Sequence, residues 1–157
     1  MEIGVIMDRI DKDILKIIQS DGRLSTAELS EKVGLSPSPC ARRLKRLEEE
    51  GYIESYQARL NKTKVGIGMS FFVDVRLNNH QASSVEDFER DISAIEEAIN
   101  VHIVSGAYDY LVEVVSKDLA GFEAFTRKLH RLSSVKDFHT HLAVRQVKGN
   151  TALPIYL

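Results

Sequence analysis

A cluster of basic side chains between positions 42 and 46 is the strongest chemical signal in this 157-residue sequence. Guanidinium and ammonium groups bind phosphate oxygens and base edges, and serine hydroxyls and the free amides of a helix start also bind phosphates. Two serines and two prolines precede the cluster, where a helix should begin. The pattern predicts a helix whose N-terminal end enters the major groove of DNA, with Ser36, Ser38, Arg42, Arg43, Lys45 and Arg46 as the contacting residues.

An apolar stripe indicates how the cationic helix is held. Cys40, Leu44 and Leu47 recur at helical spacing on the side opposite to the arginines. Gly51 supplies a stop for the helix. Because Cys40 is the single cysteine and lies on the apolar side, we expect a buried side chain rather than a reactive thiol.

Two partner helices should precede the cationic one. Isoleucines between positions 10 and 18 form the stripe of a first helix that ends near Asp21. Ser25 and Glu28 make an S-x-x-E capping box, so a second helix starts at Ser25 and should end at Gly34. The short link that follows predicts a helix-turn-helix, and the β-prone run 52–60 should form a wing or the strand leading out.

The charge balance indicates that the clustered basic residues, and not the net charge of the protein, must attract DNA. The formal net charge is -2, and residues 1–65 contain 12 Lys and Arg against 11 Asp and Glu. A basic domain is the usual signature of a nucleic-acid binder, and it is absent here. Weak attraction per copy fits a protein that binds as a dimer or larger assembly. The alternative is that the basic cluster is a solvated helix face, as most charge runs are.

The second half of the chain has a different periodicity. From about Gly66 the apolar pattern changes to period two, and Ser83 with Glu86 gives a second capping box for a following helix. The expected elements are strand 69–77, the helix after Ser83, strands 101–105 and 110–115, helix 119–132 and strand 138–144. The order βαββαβ predicts a ferredoxin-like α+β sandwich.

One face of such a sheet is left bare, because both helices pack on the other. We expect Phe72, Val104 and Val115 or their neighbours on it, mixed with polar groups. Self-association would cover this face, and two-fold symmetry suits a protein that reads two half-sites. The sequence therefore predicts a dimer or larger assembly.

The turn 105–110 is a candidate ligand site. Gly106 leaves backbone amides approachable for a carboxylate, and Asp109 could meet an ammonium group. Together they would match both ends of an amino-acid zwitterion. The alternative is a hairpin turn in which Asp109 accepts hydrogen bonds from local amides.

Other functions have weak support. No apolar run approaches the roughly 20 residues that span a bilayer, and no signal peptide is recognisable, so we expect a cytoplasmic protein. No catalytic motif stands out. His139 and His141 share one face of the last strand and His102 could be nearby, but an H-x-H pair without a set of carboxylates or cysteines is a weak metal signature. We expect no cofactor and no resident metal.

Three segments resemble one known family. Residues 8–11 (DRID), 34–40 (GLSPSPC) and 105–110 (SGAYDY) are similar to the corresponding parts of Lrp/AsnC (feast/famine) transcriptional regulators, and the resemblance covers nearly the whole chain. It implies a winged helix-turn-helix in residues 1–60, with 52–65 as wing and linker, and an effector-binding, oligomerising domain in 66–157. It also implies sheet-mediated dimers, an octamer of four dimers and a nucleoid location.

The resemblance also implies an effector, usually an amino acid, bound between dimers. By the family pattern its pocket would include Gly106, Ala107, Tyr108, Asp109, Leu119, His141 and Leu142. A few relatives with this layout look like sirohaem decarboxylase subunits, so such an enzyme is the alternative function. The intact Ser-Pro-Ser-Pro and the arginine cluster favour DNA over a tetrapyrrole.

Overall fold

Two compact units make up the chain. The computed structural model describes residues 7–149 and 152–157. One unit contains the described residues up to Arg59 together with the C-terminal segment from Lys148, and the other is Leu60–Val147. The elements are α1 Arg9–Ser20, α2 Thr26–Val33, α3 Pro37–Glu49, β1 Met69–Leu77, α4 Ala82–Ser93, β2 Ala98–Ile103, β3 Tyr110–Ser116, α5 Leu119–His130 and β4 Val135–Leu142.

The first two helices begin where the sequence indicates. Asp8 caps α1 in a reciprocal capping box with Asp11, and Ser25 caps α2 in the predicted box with Glu28. Gly34 ends α2 in the left-handed conformation at φ 69°, which glycine adopts without steric cost. The apolar faces of the three helices meet in one core, whose fully buried members are Ile14, Leu29, Cys40 and Leu47. The predicted helix-turn-helix is confirmed.

The segment that follows α3 in the helical unit differs from expectation. No strand is present in 52–60, so the predicted wing strand is wrong for this segment. A wing needs a second strand to pair with, and this run is held instead by side chains: the Tyr56 hydroxyl donates to Glu48 at 2.7 Å. Tyr56 also lies close to Gly22, where an added Cβ would be 3.1 Å from its ring.

The C-terminal segment lies with the helical unit. The amide side chain of Gln19 accepts from the Leu153 N–H at 2.5 Å and donates to the Leu153 carbonyl at 3.2 Å. Ile155 packs against the helical core. The expected second domain, 66–157, therefore differs from the observed unit at both ends, because residues 60–65 join it and residues from Lys148 leave it.

The second unit is the predicted ferredoxin-like sandwich. Its antiparallel sheet has the order β2-β3-β1-β4, with α4 and α5 packed on the face formed by alternate β1 residues. The core consists of Phe71, Val73, Val75, Leu77, Phe88, Ile92, Tyr110, Val112, Val114, Phe125 and Leu129. The Ser83 capping box is wrong: α4 starts at Ala82 after the N-cap Gln81, so Ser83 lies inside the first turn.

The outer sheet face is more polar than expected. Phe72 lies on it and is 38% exposed; Val115, which pairs with Ser70, is on the same face but buried, and Val104 follows the end of β2. Charged side chains occupy much of the rest, in the pairs Lys62–Glu113 at 3.3 Å, His141–Asp74 at 3.0 Å and Arg76–Asp137 at 3.5 Å. In the described part of the chain, no helix is long and apolar enough to cross a membrane.

Candidate nucleic-acid and effector sites

The exposed side of α3 presents part of the predicted DNA-contacting set. Ser36 is at the N-cap position without a side-chain hydrogen bond, so its hydroxyl is available to an external group. Ser38, Arg42 and Lys45 are exposed, and Lys45 lies 3.5 Å from Glu49 one turn later. Among the residues that the structure describes, Arg42 forms no ion pair. It is therefore the α3 cation that a phosphate can reach at the lowest cost.

Arg43 and Arg46 are already engaged. Arg43 Nη1 donates to Asp8 Oδ2 at 2.7 Å and to Asp11 Oδ1 at 2.9 Å, and Arg46 Nη2 donates to Asp11 Oδ2 at 2.6 Å. The Asp11 side chain is only 1% exposed, and both arginine side chains are 29% exposed. The expectation that all three arginines point freely away from the apolar face is wrong for these two, because a buried carboxylate at the start of α1 requires cationic partners.

These hydrogen bonds shift the pKa values of Arg43 and Asp8. The hydrogen bond to Asp11 and then that to Asp8 raise the pKa of Arg43 further above its usual range. The Asp11 backbone N–H, followed by Arg43, lowers the pKa of Asp8. These groups therefore stay charged in the folded protein. The three arginines at 42, 43 and 46 and Pro39 line an open cleft of about 350 Å³.

The loop 104–109 between β2 and β3 is tied to β1. The Val104 N–H donates to the Asp109 carbonyl at 3.0 Å, which closes the loop, and the Asp109 N–H donates to the Val75 carbonyl at 2.9 Å. Gly106 has φ 128°, a conformation that favours glycine. Arg76 donates to the Ala107 carbonyl at 3.1 Å and lies 4.9 Å from the centre of the Tyr108 ring.

Both Asp109 carboxylate oxygens have partners within the chain. Oδ2 accepts from the Leu77 N–H at 2.8 Å, and Oδ1 is 2.8 Å from His80 Nε2. The Leu77 amide, more than His80, holds the pKa of Asp109 below its ordinary value. The carboxylate thus ties the loop to the end of β1, as a turn aspartate does. Since an ionised carboxylate has about four acceptor positions, it retains capacity for a ligand ammonium.

The remaining effector candidates lie at the other end of the sheet. Val75 pairs with Tyr110 beside the loop, whereas Leu142 pairs with Phe71 four residues away along β1, about 13 Å at 3.3 Å per residue. Leu119 opens α5, three residues beyond the end of β3. His141 and Leu142 are consecutive strand residues, so they point to opposite faces. A single chain does not bring the predicted effector residues together.

The histidines form a partial cluster on the outer face. His139 and His141 have ring centres 4.7 Å apart, and Asp74 of β1 contacts His141. His102 is separated from Asp74 by Leu111 in the strand register. The described residues contain no group of three or more His, Cys, Asp or Glu that could hold a metal ion.

Sequence reasoning missed Asp11, Asp74 and His80. Asp11 carried one signal, since Asp8 and Asp11 have the spacing of a capping box. No local pattern connects Asp74 with His141 or His80 with Asp109, because these partners are 67 and 29 positions apart.

Comparisons with known proteins agree with both halves of this description. A winged helix-turn-helix DNA-binding family model matches residues 7–54, and an Lrp/AsnC ligand binding domain model matches residues 70–153. The chain is 38% identical over 153 residues to the leucine-responsive regulatory proteins of Salmonella typhimurium and Escherichia coli K12, covering 97% of this chain and 93% of each relative.

Two solved structures are similar over most of their length. A transcriptional regulator from Neisseria meningitidis in complex with L-Met has a TM-score of 0.90 and 34% identity, covering 94% of this chain and 96% of that one. An AsnC family transcriptional regulator from Agrobacterium tumefaciens has a TM-score of 0.88 and 37% identity, covering 94% and 97%.

Proposed function

The chain belongs to the Lrp/AsnC family of DNA-binding transcriptional regulators, and on that premise we propose that it senses an amino acid and regulates transcription accordingly. The observation that carries the proposal is the joining of a capped helix-turn-helix, with exposed Ser38 and Arg42 on α3, to a ligand-binding domain in one chain. The relatives are named as regulators, which favours this function over the sirohaem-decarboxylase alternative. The L-Met complex of the Neisseria regulator supports an amino-acid effector.

The proposed DNA-contacting surface is the side of α3 that runs from the N-cap Ser36 to Arg46. Ser36 and Ser38 are placed to donate to phosphates, and Arg42 and Lys45 to reach phosphates or base edges. Arg43 and Arg46 lie at the same surface but with carboxylate partners. Since one copy presents little net positive charge, stable binding requires several linked copies on several half-sites.

The proposed effector pocket combines residues of two chains. The loop Gly106–Asp109 of one copy supplies amides and a carboxylate, and Leu119, His141 and Leu142 of another supply the second wall. The separation of these two groups along β1 supports this arrangement, because one chain cannot enclose a small ligand with both. An effector then favours the assembly state that forms the pocket.

Assembly and location complete the proposal. Dimers form through the outer sheet face, and four dimers form an octamer. The carboxylates of Asp74 and Glu113 lie on that face beside histidine, lysine and arginine side chains, which gives it mixed charge for pairing with a second copy. A regulator of this kind acts in the cytoplasm, associated with the nucleoid.

A thermal-shift screen with the common amino acids, starting with L-Met, tests the sensor function. A ligand at 100 times its Kd stabilises the native state by about 2.7 kcal/mol, which gives a clear rise in melting temperature. Gel shifts with a duplex enriched in vitro by the protein should then change with the same amino acid. If no amino acid raises the melting temperature, the sensor proposal fails. If no duplex is enriched, the DNA-binding surface assigned here is wrong.

Mixed oligomers test whether the pocket is shared. Asp109→Asn and Leu142→Asp each damage one wall, so each variant alone should bind effector weakly. After mixing in equal amounts and subunit exchange, random pairing leaves about a quarter of the pockets with both walls intact. Calorimetry should recover that fraction of tight sites. No recovery after verified exchange would show that both walls come from one chain.

A further inference from the structure

The capping box of α1 also binds two arginines of α3. The Asp11 N–H donates to Asp8 Oδ1 at 2.9 Å, and the Asp8 N–H donates to Asp11 Oδ2 at 3.2 Å. The remaining acceptor positions of these carboxylates hold Arg43 and Arg46. We call these four residues the acidic lock. It fixes the start of α1 to the middle of α3.

The acidic lock does more than hold α1 against α3. Well-packed apolar residues generally hold two helices together at least as well as a buried ion pair. The ion pairs therefore fix the orientation of the paired side chains more than they stabilise the packing of the two helices. Each Asp11 oxygen accepts from a different arginine, and guanidinium donors are planar and fixed in direction. The carboxylate therefore restrains both arginine side chains as well as the helix that carries them.

The lock also neutralises charge at the DNA-facing surface. Two arginines and two aspartates sum to no formal charge, although Arg43 and Arg46 line the same cleft as Arg42. Binding of any DNA sequence depends on the number of phosphates that free cations neutralise, whereas discrimination depends on base contacts and their geometry. Two arginines held by carboxylates contribute less to this sequence-independent binding than free arginines would.

We propose that Asp11, assisted by Asp8, is a specificity-determining residue, because it restrains Arg43 and Arg46 and so suppresses sequence-independent attraction to DNA. Asp11 acts through the arginines and is a positioning residue. This inference rests on the DNA-binding function. It accounts for a nearly neutral helix-turn-helix unit that retains four basic residues within five positions of α3.

Asp11→Asn in the full-length chain is the direct test, with Asp13→Asn as the matched control. Both changes remove one negative charge from α1, but Asp13 is 41% exposed and pairs only loosely with Arg9 and Lys16, at 3.9 and 3.8 Å. Fluorescence anisotropy compares a duplex enriched by the wild-type protein with a scrambled duplex of the same composition. Affinity is measured at salt concentrations from about 50 to 200 mM. The slope of log affinity against log salt concentration then gives the number of phosphates that the protein neutralises.

We expect Asp11→Asn to bind the scrambled duplex about three- to tenfold more tightly. Its salt dependence should be steeper by an amount that corresponds to about one more neutralised phosphate. The ratio of specific to non-specific affinity should fall about tenfold. Asp13→Asn should change both affinities by the same small factor. A loss of folding would lower binding to both duplexes and leave the slope unchanged, so the slope separates the two roles.

Asp8→Asn provides a second test if Asp11→Asn does not fold. Asp8 is 46% exposed and holds only Arg43, so we expect a smaller fall in the specificity ratio with little loss of stability. Unchanged ratios and slopes in the folded variants would overturn the inference. If the wild-type protein itself did not distinguish the two duplexes, the DNA-binding function would fail first.

Discussion

Replacing Asp109 with asparagine separates a ligand contact from a turn contact. The carboxylate accepts from the Leu77 N–H at 2.8 Å and contacts His80 at the same distance, and its side chain is 23% exposed. Asparagine keeps one oxygen, which can still accept from Leu77. The fold should therefore lose only about 0.5 to 1.5 kcal/mol, the usual net value of one neutral hydrogen bond.

The loss for an amino-acid ligand should be larger. A hydrogen bond to a charged group contributes about 1.5 to 3 kcal/mol, and each 1.4 kcal/mol corresponds to a factor of ten in Kd. Because two partners already share the carboxylate, we expect a result near the lower limit, about tenfold weaker binding. Calorimetry at neutral pH, with the amino acid found by the screen, measures it.

His80→Ala is the control for this experiment. His80 is exposed, with 73% of its side chain accessible, and it competes for Asp109 Oδ1. Its removal should leave effector affinity unchanged or raise it a few-fold, since it frees an acceptor position. Equal affinities of wild type and Asp109→Asn would show that the carboxylate only closes the turn. Equal weakening by both variants would point to loss of loop structure instead.

The pH dependence has a defined sign. The folded-state pKa of Asp109 lies below its ordinary value of 3.8. Its ionised form therefore stabilises the fold above that value, and the contribution is lost as pH falls through the lower, folded-state pKa. In His80→Ala, where no imidazole competes for Oδ1, effector affinity due to this carboxylate should be constant from about pH 5 to 8. A titration of affinity in that window that disappears in Asp109→Asn would contradict the assigned pKa direction.

Three further predictions concern binding, assembly and the C-terminus. Arg42→Glu should cost about 1 to 3 kcal/mol of operator affinity in gel shifts without changing the oligomer, and unchanged affinity would contradict the α3 surface. The fragment 60–147 should fold and associate in sedimentation, and a folded monomer would refute assembly through the sheet. Ile155→Ala should lower the free energy of unfolding of the helical unit by about 1 to 2 kcal/mol, seen as faster hydrogen exchange in α1, and unchanged exchange would show that Ile155 does not stabilise that unit.

Local patterns predicted most of the elements, since caps and apolar periods are encoded by neighbours in sequence. The Ser25–Glu28 box and the period-two run through β1 placed their elements correctly. The same S-x-x-E rule failed at Ser83, because the helix starts two residues earlier, after the N-cap Gln81, and the motif does not determine the starting residue. The wing strand failed for a related reason: β-propensity in 52–60 cannot supply a pairing strand.

Local sequence patterns could not predict contacts between residues that are far apart in the sequence. The ion pairs of Asp11 with Arg43 and Arg46 span 32 and 35 positions, and the hydrogen bonds between Gln19 and Leu153 span 134. Amphipathic spacing correctly placed the arginines opposite Cys40, but it could not reveal that a carboxylate from another helix would meet two of them. The DNA surface on α3 therefore stays a prediction, and it carries less free positive charge than the sequence pattern indicated.

The split of the effector residues has a consequence for control. A ligand shifts an equilibrium only by its difference in affinity between the two states. If each pocket needs Asp109 of one chain and Leu142 of another, the separated subunits bind the ligand weakly and the assembly binds it well. At 100 times the Kd, each pocket then favours assembly by about 2.7 kcal/mol, or about a hundredfold in the association constant. Because each copy of α3 carries little free positive charge, we propose that the number of linked copies determines DNA occupancy. A change in assembly would then change transcription without any rearrangement within α3.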